Sequence, residues 1–227
     1  VDDRVALLGK QLVLYLVTML ISLTVHEYSH ALVANALGDE TPRSQGRLTL
    51  SPLAHYDVWG TFLIPTIAIL AGGIPFIGWA RPVETNPAHY TRRISARNGH
   101  RLVSVAGPLS NLVLAVLAMA GLTVLVRFVP AAASETGTPN ALAVLLRAMV
   151  AVNLGLFVLN LIPLPPLDGS RLLPRSLDDF QRSIAPYSFF IMLVILNVRQ
   201  LRMLFFWPVG VLGAALESLF GIYVGLA

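Results

Sequence analysis

The sequence predicts an all-α polytopic membrane protein: a bundle of about five to six transmembrane helices with a small membrane-associated β element and a re-entrant segment. Two observations lead there. Of the 227 residues, 56% are hydrophobic and 12% charged, with a mean hydropathy of +0.71, whereas soluble domains carry about 25% charged residues. A chain of 24.5 kDa exposes too much surface on folding to hide that apolar content from water. The apolar residues also come in long runs, with the charges gathered between them. Lys10 is the single lysine among 16 basic residues, and the arginines fall mostly in the loops, as charges that orient membrane helices do. The net charge of +4 therefore implies a bilayer and no nucleic-acid partner. Without cysteine, disulfides, thiolate metal sites and a cysteine nucleophile are excluded.

The first run, residues 11–37, exceeds the ~20 residues a spanning helix needs and is broken near its end by His26, Glu27 and His30. Residues 43–57 follow. Their alternation Arg47-Leu48-Thr49-Leu50-Ser51 has the period of a strand with unlike faces, which predicts the β element. The run 59–79 is punctuated by Pro65, Gly72, Gly73, Pro75 and Gly78, which argues against a straight helix and for a re-entrant hairpin. Runs 102–126 and 141–163 read as spans. Run 184–198 is short, and Arg199 and Arg202 separate it from 203–226, so the end of the chain reads as two spans or as one tilted span with an interfacial segment. No repeat or linker divides the chain, and residues 1–227 read as one membrane-embedded domain.

Chemistry concentrates in His26-Glu27-Tyr28-Ser29-His30. Residues four apart share a helix face, so both imidazoles can reach one zinc ion, and Glu27 sits where a general base would meet a water on that ion. Ionisable groups inside an apolar run are costly in lipid and mark a functional site by default. A catalytic zinc usually takes three protein ligands and leaves one position open. Asp168 is the best third ligand: Pro163, Pro165 and Pro166 break the helix before Asp168-Gly169, and non-helical backbone at membrane depth occurs where it lines a cavity. His55 and Asp57, in the loop after the expected strand, read either as an extra ligand or site-adjacent pair, or as solvated or turn-capping residues.

These strings, HEYSH in the first run, AGPLSN at 106–111 and NLIPLPPLDG at 160–169, resemble the site-2 protease family of intramembrane zinc metalloproteases, in the family's order. The form resembled is a short bacterial one without PDZ or CBS domains. The resemblance implies one Zn2+ per chain on His26, His30 and Asp168, Glu27 as base, and a membrane protein with a transmembrane segment as substrate. It also implies that Asn111 and Asn160 lie near the catalytic water, as donors to substrate backbone or a developing oxyanion; the other reading of each is a helix-to-helix hydrogen bond.

For these ligands to meet, the first and fourth runs must point the same way, which requires 59–79 to double back. The basic residues Arg43, Arg47, Arg81, Arg92, Arg93, Arg97, Arg101, Arg171, Arg175 and Arg182 then share one side, while the opposite loop at 130–140 has none. Positive charge marks the cytoplasmic side, so the active site is expected toward the cytoplasm in a bacterial inner membrane. The rival reading is an ion- or proton-conducting transporter using the buried His, Glu and Asp cluster.

Overall fold

The structure, a computed structural model, describes residues 2–70, 78–129 and 140–223, with side chains from residue 6. Four helices among them are long and apolar enough to cross a membrane. These are α1 (Asp2–Ala36), α4 (Ala96–Phe128), α5 (Ala141–Leu161) and α8 (Arg199–Phe220); between them lie α2 (Thr41–Ser44), α3 (Ile64–Leu70), α6 (Asp178–Ile184) and α7 (Ser188–Asn197). Among the described residues these four are the candidates for the expected five to six spans. α7 covers roughly 15 Å and the apolar helical stretch Val58–Leu70 roughly 20 Å at 1.5 Å per residue, against a hydrocarbon core of about 30 Å.

The ends of the second apolar run meet. The Trp79 amide donates to the Gly60 carbonyl at 3.2 Å, and Thr61 Oγ1 donates to the Trp79 carbonyl at 2.9 Å. The chain therefore leaves and returns at one place, although residues 71–77 lie outside the described residues. Gly60 permits this closure, since a Cβ there would stand 2.5 Å from the Trp79 ring.

The expected β element is not formed; the described residues contain no strand. A strand needs a partner for its edge, and here the local groups are satisfied otherwise. Gly46 turns the chain at φ +68, Pro52–Ala54 makes a 3-10 turn, and His55 Nε2 donates to the Thr49 carbonyl at 2.8 Å. Arg47 turns inward and donates to the Ala54 carbonyl.

Helix ends follow from their residues. Gly38, at φ +101, stops α1. The Ser95 side chain caps α4 by accepting from the Asn98 amide, and Asn140 caps α5 by accepting from Leu142 and Ala143. Pro163 then ends α5, leaving Ile162 extended. Two apolar cores bind the helices. Ala115, Met119, Val150, Leu154 and Leu216 join α4, α5 and α8, and Tyr15, Met19, Leu23, Ile69 and Leu156 join α1, α3 and α5. Polar contacts give the directions. Ser22 of α1 meets Asn153 of α5 and Asn111 of α4, while His30, further along α1, meets Val103, earlier in α4. α1 is thus antiparallel to α4. Asp168, beyond the end of α5, reaches His26 and His30, so α1 and α5 run the same way, as the ligand set required. The arginine-free loop at 130–139 lies outside the described residues.

Candidate metal centre

His26 and His30 stand one helical turn apart on α1, and both are buried. Each ring is oriented by its far nitrogen. His30 Nδ1 lies 2.7 Å from the Val103 carbonyl oxygen, which can only accept, so Nδ1 carries the proton. His26 Nδ1 lies 2.6 Å from Asn111 Oδ1. Asn111 is fixed in that sense because its Nδ2 donates to Asn153 Oδ1 at 2.9 Å, and Asn153 Nδ2 in turn donates to Ser22 Oγ at 2.9 Å. Both Nε2 atoms are consequently bare lone pairs.

These lone pairs converge. Asp168 Oδ2 lies 3.2 Å from His26 Nε2 and 3.1 Å from His30 Nε2, and the two Nε2 atoms are 3.1 Å apart. Asp168 Oδ2 is buried and makes no hydrogen bond. Three acceptors in such a triangle repel one another unless a cation lies between them. Ligands 2.0–2.2 Å from a tetrahedral zinc are separated by about 3.3 Å or slightly more, so the triangle has the size of one face of that tetrahedron. His26, His30 and Asp168 are the group among the described residues whose donor atoms can hold a metal ion.

Space for an ion is provided by Gly107 of α4. A Cβ at this position would stand 2.4 Å from His30 Nε2 and 2.6 Å from His26 Nε2, inside the donor set. Gly169 does comparable work behind Asp168: a Cβ there would meet the Leu161 carbonyl oxygen at 2.4 Å, so the turn can fold tightly onto the end of α5. Arg97 and Arg101 of α4 both donate to the Leu173 carbonyl, at 2.7 and 3.0 Å, and Arg97 pairs with Asp178 at 3.0 Å. The segment bearing Asp168 is thereby tied to α4.

A cavity of about 170 Å3 fronts the triangle, lined by Glu27, Trp79, Val83, Asn160, Asp168 and Arg171 among others. Glu27 Oε2 accepts from the Val83 amide at 2.8 Å, which leaves Oε1 for another partner. Arg171 Nη1 approaches Asp168 Oδ1 at 3.8 Å, turning the carboxylate so that Oδ2 faces the histidines. Asn160 lines the cavity while its Nδ2 donates to the Leu156 carbonyl. Asn111 does not line it; it is fully buried behind His26 with both ends of its amide engaged. His55 and Asp57 are turn residues: His55 is buried against Thr49, and Asp57 accepts from the Gly60 amide at 2.7 Å.

Sequence reasoning passed over Asn153, Ser22, Val83 and Gly107. Of these, Asn153 alone stands out in the sequence, as an amide inside an apolar run, but with no spacing to say what it faces.

The comparisons agree with this chemistry. The profile described as Peptidase family M50 matches residues 14–142. The chain is 37% identical over 228 residues to the Bacillus subtilis protein named "Putative zinc metalloprotease YwhC", covering 97% of this chain and 96% of that one. It is 34% identical over 198 residues to "Putative zinc metalloprotease Rip2" of Mycolicibacterium smegmatis, covering 86% of this chain and 70% of the relative. No solved structure matches.

Proposed function

The chain belongs to peptidase family M50, the site-2 protease family of zinc metalloproteases, and from that premise we propose that it hydrolyses peptide bonds within or beside transmembrane segments of membrane proteins. His26, His30 and Asp168 hold the zinc and Glu27 is the general base. The observation that carries this reading is the triangle of bare acceptor atoms, 3.1–3.2 Å on a side, beside the Glu27 carboxylate and a small cavity.

Zinc, when bound, supplies an acidified water near neutral pH and polarises a carbonyl. The residues do the rest. Val83 holds Glu27 by Oε2, so Oε1 is the oxygen that takes the proton from the attacking water and returns it to the leaving amine. Asn160, at the cavity wall, has its carbonyl oxygen and one N–H left for substrate backbone. Asn111 acts through His26, holding its tautomer, as partners of metal-binding histidines commonly do.

A cavity of about 170 Å3 holds a few waters at roughly 30 Å3 each, not a helix. The substrate must therefore unwind and enter as an extended chain. The irregular segment 79–85 walls the cavity and is the place where the substrate chain would lie in place of a strand at Arg47–Ser51. Beyond Trp79, Pro82, Leu159 and Pro166 the cavity adjoins an apolar cleft of about 620 Å3 that reaches Phe189 and Met192 of α7, a dry route from the lipid. The arginines around the centre support, by the positive-inside rule, a site toward the cytoplasmic side of a bacterial inner membrane. No observation favours the conduction alternative.

The test compares membrane-protein fragments in cells carrying the wild type and Glu27→Gln. Fragments that vanish with Glu27→Gln support the reading; an unchanged fragment pattern in a strain where the wild type is active contradicts it.

A further inference from the structure

A second cavity, of about 510 Å3, shares no lining residue with the one at the metal centre and lies between the α2 turn and the irregular segment that follows Trp79; Gln45, Arg47, Leu53, Ala54, Arg81 and Glu84 line it. Arg47 is 5% exposed, yet its guanidinium makes one hydrogen bond, to the Ala54 carbonyl, and no ion pair among the described residues. A guanidinium carries five N–H donors, and those of Arg47 that Ala54 does not take are open to the cavity. Arg81 stands on the same cavity, fixed there by its amide bond to the His55 carbonyl at 2.8 Å. Glu84 is the one carboxylate in the lining, and Gln45 Nε2 already donates to its Oε2 at 2.8 Å. Two guanidiniums thus face one carboxylate.

We propose that this cavity binds the phosphate of an anionic lipid headgroup, gripped by Arg47 from within and Arg81 from the rim. Burial and the like charge of Arg81 both push the Arg47 pKa down, against weaker pull from Glu27 and Glu84, so the pair as it stands is short of negative charge. A phosphate supplies that charge with oxygens spaced for the guanidinium fork. Leu53 in the lining and the chain around it point to lipid as the source. Leu53 is 79% exposed and Trp59 64%, with Leu50 and Val58 also bare, and this stretch runs directly into the apolar helix Val58–Leu70. Exposed Trp beside apolar side chains belongs at headgroup depth, where basic pockets meet anionic phosphates. The proposal needs neither the metal ligands nor the protease reading.

The experiment is native mass spectrometry of the full zinc-loaded chain in mild detergent, titrated with phosphatidylglycerol or phosphatidylcholine, with inorganic phosphate as a soluble competitor. One phosphatidylglycerol per chain is expected to survive delipidation in preference to phosphatidylcholine. Arg81→Gln, at an exposed position, should weaken it about tenfold, and Arg47→Lys, which keeps the charge but loses the fork, should weaken it too. Arg93→Gln removes an equal charge from the same side and should leave retention unchanged. Retention by Arg81→Gln and Arg47→Lys equal to wild type overturns the site, as does equal loss in Arg93→Gln. Displacement by millimolar inorganic phosphate, or by an acidic peptide in place of lipid, overturns the lipid assignment.

Discussion

The orientation of His26 is decided 2.6 Å from its ring, at Asn111 Oδ1, and Asn111 is decided in turn by Asn153 and Ser22. Three helices therefore share one hydrogen-bonded chain whose end is a lone pair aimed at the metal position. Replacing Asn111 with Leu removes the acceptor for Nδ1–H and should lower zinc affinity about 10–100-fold, measured by competition with a chelator; unchanged affinity would remove Asn111 from the account. Gly107 gives a sharper case. Alanine is the better helix former by about 1 kcal/mol, so Gly107→Ala should leave α4 folded while its methyl enters the donor triangle. Loss of zinc with an undiminished melting temperature is the expected result. His26, His30 and Glu27 are legible in the sequence because a four-residue spacing on a helix is itself geometry. Asp168 is legible because prolines announce an unwound segment. Asn153 is not, since a lone amide in an apolar run carries no spacing to say what it faces.

At the scale of elements, the ends of the run 59–79 meet, which lets α1 and α5 point the same way. Its glycines and prolines foretold the return, but its closure rests on Gly60 lying under the Trp79 ring, a long-range contact that no local pattern encodes. The strand expected at Arg47–Ser51 fails for the complementary reason: alternation describes two faces and says nothing of whether an edge partner exists. The absence of native cysteine makes the hairpin easy to test. Cysteines placed singly at Asp57 and Arg81, either side of the closure, should react with a membrane-impermeant reagent from the same side. Reaction from opposite sides would mean that the segment crosses the bilayer.

At the scale of the whole molecule, the apolar content of the sequence foretold the bilayer, while the number of spans depended on where two short runs turn. Among the described residues four helices are long and apolar enough to cross, and α7 and the described Val58–Leu70 stretch are shorter than the hydrocarbon core. The arrangement puts the ends of α1 and α5 and the start of α4 together at the arginine-rich side. Single cysteines at Arg93 and Arg175 should therefore label from the cytoplasm and one at Asn140 from the opposite side; a shared side for all three would overturn the topology. The donor triangle gives the most direct test of all. Purified wild type should carry one zinc per chain, and Asp168→Ala, with both histidines intact, should lose it on brief chelation while remaining folded. Asp168→Ala chains that keep a full equivalent of zinc through the same treatment would contradict the site.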